Sequence, residues 1–83
     1  MNRGEAVIVN RLGLHARAAA KFVQLASRYQ CSIRVSVGDR TRDGKSILGL
    51  LLLAASYGSR VMIEAEGVDE ADALRKLVDL LAR

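Results

Sequence analysis

The chain has 83 residues, of which 51% are hydrophobic and 27% charged, with a formal net charge of +4 and one cysteine. A chain this short buries only about 60% of the surface it exposes when unfolded, so it builds one modest core and has no room for separate nucleotide and substrate lobes. It carries no run of about 18 apolar residues and no signal-peptide pattern, which predicts a soluble, cytoplasmic, monomeric protein forming one domain over 1–83, with no membrane partner. Cys31 has no cysteine to pair with and reads as a buried strand thiol, in keeping with a reducing compartment. The basic residues are scattered, and only Phe22, Tyr29 and Tyr57 are aromatic, so nucleic acid is not an expected partner. A mildly basic surface instead favours encounter with an acidic protein.

In chain order, the β-branched segment 5–10 (EAVIVN) predicts a first strand. An alanine-rich helix follows over 16–28, with Phe22, Val23 and Ala26 available to a core. Strand 31–37 alternates, placing Cys31, Ile33, Val35 and Val37 on one face and Ser32, Arg34 and Ser36 on the other. Gly38-Asp39 marks a tight turn into a short polar edge strand at 40–43. A helix over 46–55 opens at Ser46, a good N-cap. Strand 61–66 alternates again, and a final helix over 69–82 gathers Ala71, Leu74, Leu77, Val78 and Leu81 on one stripe. Asp69, Glu70 and Asp72 lie near its favourable N-terminal pole. One wet and one dry face per strand predicts an antiparallel sheet covered on one side: an α+β open-faced sandwich of order βαββαβα.

The middle helix has more apolar surface than one core can absorb. Leu50, Leu53, Ala54 and Tyr57 make one face, and Ile47, Leu48, Leu51, Leu52 and Ala55 make another. A short helix buries one face, so the second should stay exposed as a docking patch unless loops cover it.

The only histidine, His15, lies in R-L-G-L-H-A-R-A-A-A. Gly13 permits an unusual turn after the first strand, which puts His15 at the opening of the first helix. There the backbone N–H groups of Ala16, Arg17 and Ala18 lack helical partners and form an anion site. Arg17 adds a guanidinium able to fork onto phosphoryl oxygens. Phosphoryl transfer asks mainly for positioning and charge neutralisation, and these groups supply both around a nucleophilic imidazole. An isolated histidine is ordinarily structural; its place and neighbours argue otherwise. Ser46, in D-G-K-S-I, is on the same reasoning an ordinary cap. A phosphate there would nonetheless put about two negative charges beside the surplus apolar face.

Together, G-L-H-A-R-A-A and G-K-S-I-L-G-L-L-L-L resemble the active-site and regulatory motifs of HPr, the histidine-containing phosphocarrier family of the bacterial phosphoenolpyruvate-dependent phosphotransferase system. The resemblance runs essentially end to end and implies the HPr-like sandwich. It implies that His15 accepts phosphate on Nδ1 from phospho-Enzyme I and hands it to permease A components or regulatory partners. Arg17 then matches the family arginine, and Ser46 the serine modified by HPr kinase/phosphorylase, which impairs uptake from Enzyme I. Ile47, Leu48 and Leu51, with Ala20 on the first helix, match the Enzyme I docking surface. One departure is visible: the family usually has proline after the arginine, and this chain has Ala18. Transfer is expected to persist, with the lifetime or rate of the phosphohistidine altered.

Other readings are a nitrogen-branch or regulatory paralogue, an enzyme using His15 as general acid or base, and a non-catalytic α+β binding module. The G-K-S-I match weighs against the nitrogen branch. The absence of a carboxylate cluster or a G-x-x-x-x-G-K-S/T loop weighs against an enzyme. One histidine and one cysteine on separate elements make no metal site, and no cofactor is implied.

Overall fold

The computed structural model describes residues 1–83. Four strands, β1 (Asn2–Val7), β2 (Ser32–Val37), β3 (Arg40–Asp43) and β4 (Arg60–Glu66), form one antiparallel sheet in the order β1-β4-β2-β3. Three helices, α1 (Ala16–Ala26), α2 (Ile47–Leu53) and α3 (Glu70–Leu81), cover one face in the expected βαββαβα order. A core of 18 buried residues lies between the layers, with Phe22, Ile33, Leu50, Leu53, Ile63 and Leu77 its largest fully buried side chains. The other face is wet. Arg3 meets Glu64 at 2.9 Å, and Ser36 bonds Thr41 at 2.9 Å.

The alternation in β2 and β4 is realised: Ile33, Val35, Val61, Ile63 and Ala65 face the core, with buried Cys31 just ahead of β2. The first strand lies three residues earlier than expected at each end. Its ladder runs from Asn2 opposite Ala65 to Val7 opposite Arg60, so pairing to β4 overrides the β-branched run at 7–9. Gly4 lets α3 close over this strand, because a Cβ there would stand 2.9 Å from Val78 Cγ2.

The helical assignments also change, the first helix ending at Ala26 rather than at 28. In α3 the buried stripe is Ala73, Leu77 and Leu81, with Leu74 and Val78 half-buried; Ala71 is exposed. In α2, Leu50 and Leu53 are buried as expected, but the helix ends before Ala54 and Tyr57. Ala54 takes a left-handed conformation at φ 53°. The turn it makes exposes Ala54 and Tyr57 and buries Ala55.

Asp69 precedes α3 but does not cap it. Its carboxylate accepts the N–H groups of Gln30 and Cys31 at 2.9 and 3.0 Å, tying α3 to the entrance of β2. Those bonds hold its carboxyl below the usual aspartate range, the Gln30 N–H being the main cause. Glu70 reaches back to the Gly67 N–H at 3.1 Å and serves the helix start instead.

Candidate functional site

The loop from β1 to α1 is fixed residue by residue. Asn10 forms a turn in which its Oδ1 accepts the Leu12 N–H at 3.0 Å and its carbonyl accepts the Gly13 N–H at 2.9 Å. Gly13 adopts φ 71°, and a Cβ there would lie 2.5 Å from the Ala55 carbonyl oxygen. Only glycine meets both demands. The Leu14 N–H then donates to that same carbonyl at 2.9 Å, and the Leu14 side chain is buried. The loop is thus pinned to the segment leaving α2, and His15 follows as the N-cap of α1.

His15 is half-buried, with φ −78° and ψ 179°, outside the core and before the first helical residue. Its carbonyl accepts the Ala19 N–H at 2.8 Å, starting the helix. Its ring replaces the usual capping oxygen, with Nδ1 accepting the Arg17 N–H at 3.2 Å. Nε2 lies 3.0 Å from Nδ2 of Asn10. The amides of Ala16 and Ala18 make no intramolecular bond, as expected. That of Arg17 is not free, because the imidazole itself occupies it.

An opening of about 240 Å³ lies beside the ring, bordered by Asn10, Gly13, His15, Arg17, Ala18 and Lys21 among others. No aspartate or glutamate lines it. The Arg17 guanidinium enters no ion pair, while Arg83 at the same opening is engaged with Asp79 at 2.7 Å. The site offers an in-plane nitrogen, two unpaired helical amides and an uncommitted arginine, and it suits a tetrahedral anion. No group of three or more His, Cys, Asp or Glu residues gathers to hold a metal.

Ser46 is the N-cap of α2, its Oγ accepting the Gly49 N–H at 3.0 Å. Past it, Ile47, Leu48, Leu51 and Leu52 are exposed, Leu48 at 66%. Ala20 is half-buried on α1. Ala55, grouped with this face by periodicity, is buried because the helix has already ended. Two residues at the site escaped the sequence reading. Leu12 is 77% exposed at the tip of the loop, and Asn10 contacts the ring. Asn10 followed three residues later by Gly13 is a turn signal, but its contact with His15 needs the folded loop.

The molecule is an open-faced α+β sandwich whose reactive features lie at a helix opening rather than in an enclosed cleft. Residues 3–83 match the family profile described as "PTS HPr component phosphorylation site". The chain is 49% identical over 74 residues to the phosphocarrier protein HPr of Neisseria meningitidis serogroup A, covering 89% of this chain and 83% of that one. It is 49% identical over 78 residues to HPr of Pseudomonas aeruginosa, covering 93% and 87%. The crystal structure of HPr-C-His from Thermoanaerobacter tengcongensis superposes with a TM-score of 0.93 at 43% identity, covering 98% and 91%. The chain therefore belongs to the HPr family of phosphocarrier proteins. No helix in it is long and apolar enough to cross a membrane.

Proposed function

We propose that this chain accepts a phosphoryl group on His15 Nδ1 from phospho-Enzyme I and passes it to permease A components or to regulatory partners. The observation that carries the reading is the ring's place as the N-cap of α1, with Nδ1 aimed at the helical amides. In the transfer the Nδ1 lone pair forms a bond to phosphorus as the donor P–N bond breaks and its electron pair returns to the donor nitrogen. The Arg17 N–H, displaced from Nδ1, becomes available to a phosphoryl oxygen, alongside the Ala16 and Ala18 amides. The positive helix terminus and the Arg17 guanidinium stabilise the charge that arrives. The protein is on this reading a substrate of phosphotransferases, not an enzyme with its own turnover.

The apolar strip of Ile47, Leu48 and Leu51, with Ala20, is assigned to Enzyme I docking. Family membership and the exposure of the three α2 residues support the assignment. Ser46 is assigned as the target of HPr kinase/phosphorylase, since a phosphate at this cap would put two negative charges beside the strip. Incubation with Enzyme I and phosphoenolpyruvate tests the central claim. Acid-labile phosphate is expected on the wild type and absent from His15→Ala; an unlabelled wild type would refute it. Acid-stable phosphate from ATP and the kinase, lost in Ser46→Ala, tests the second assignment.

A further inference from the structure

The contacts of the His15 ring do not balance in the empty protein. The Arg17 N–H points at Nδ1 from 3.2 Å, and the Asn10 side chain presents Nδ2 to Nε2 at 3.0 Å. The orientation of that amide is set by the loop, because Oδ1 accepts the Leu12 N–H. Two donors therefore face one imidazole. A neutral ring has one lone pair and one N–H, and an imidazolium has no lone pair at all. Turning the Asn10 amide over only moves the conflict, since its NH₂ would then face the Leu12 N–H. One uncharged form of the ring resolves it: substituted at Nδ1, with a bare lone pair at Nε2.

From this geometry, and resting on the carrier reading of His15, we propose that Asn10 is a positioning residue for the phosphorylated state. Its NH₂ donates to Nε2 of the Nδ1-phosphohistidine, keeps that nitrogen unprotonated, and so preserves the P–N bond between loading and delivery. The proton count closes. As Nδ1 bonds to phosphorus, the proton held on Nε2 leaves to water, and the departing donor imidazole takes one up from water. Loss of the phosphoryl group is faster when Nε2 is protonated, because a neutral imidazole then departs in place of an imidazolate. A donor at Nε2 competes with that proton. The Asn10 NH₂ makes no other hydrogen bond within the protein, so the turn uses the oxygen of this side chain and the ring uses its nitrogen.

The test loads His15 with potassium phosphoramidate, which phosphorylates imidazoles without a protein partner, in wild type, Asn10→Asp and Asn10→Ala. Asn10→Asp retains an acceptor for the Leu12 N–H but offers Nε2 an oxygen in place of a donor. It is expected to lose phosphate several-fold faster than wild type at neutral pH, with the midpoint of its decay profile about one pH unit higher. Asn10→Ala should fall between the two. Nitrogen-15 NMR should show a lone-pair Nε2 in the loaded wild type at pH 7 and a protonated one in Asn10→Asp. A loosened loop alone would not invert that signature. Matching decay profiles, a protonated Nε2 in the loaded wild type, or no labelling of His15 would each overturn the proposal. Labelling by phosphoramidate but not by Enzyme I would overturn the carrier reading and with it the role of Asn10 between loading and delivery, whereas matching decay profiles with normal loading would overturn the role of Asn10 alone.

Discussion

Gly13 shows how one residue decides where the imidazole stands. Its φ of 71° disfavours any side chain, and the Ala55 carbonyl occupies the space a Cβ would need. Gly13→Ala is expected to cost about 2–4 kcal/mol, the sum of left-handed strain and overlap with rigid backbone. The loss should appear as a lower Tm, accompanied by slower loading of His15. The placement of His15 at the opening of α1 was legible because Gly13 and His15 stand close together and act through local chain geometry. The part that was not legible depends on the loop folding back. Nothing in the spacing of Asn10 and His15 reveals that an amide fixed by Leu12 faces the ring. Nor does it reveal that the ring takes the Arg17 N–H.

At the scale of elements, β2, β3, β4 and the three helices were readable from period and turn chemistry. The register of β1 was not, because β4 and the close approach of α3 over Gly4 set it. The end of α2 was misread because the signal for a left-handed cap is glycine, and here the position is Ala54. Ala54→Gly is therefore expected to raise stability by roughly 0.5–1 kcal/mol, read from urea unfolding, with the fold unchanged. The anchoring of α3 by Asp69 predicts acid sensitivity. Folding lowers the carboxyl pKa, so in acid the unfolded chain binds more protons than the folded one. The stabilisation is complete above the ordinary aspartate value of 3.8 and disappears as pH falls from there through the lowered folded value. Thermal melts of wild type and Asp69→Asn should differ at pH 6 and draw together as the pH falls from 3.8 through the lowered folded value.

For the whole molecule, the division of surfaces matters most. The wet face of the sheet carries cross-strand polar contacts, whereas the helical side presents the apolar strip of α2 near the histidine opening. Leu48 is 66% exposed, so Leu48→Glu should change stability by no more than about 0.5 kcal/mol. Loading by Enzyme I should nonetheless drop roughly tenfold in kcat/KM, with phosphoramidate labelling unaffected. Equal loss with both reagents would place the defect in the site rather than in docking.

The bond from the Leu14 N–H to the Ala55 carbonyl makes the histidine loop and the exit of α2 a single joint. Deuterium can reach that amide only when the joint opens, which gives the protein a built-in gauge of its own integrity. A partner clamped on α2 should slow exchange at Leu14 without touching it, and fraying of α2 should hasten it.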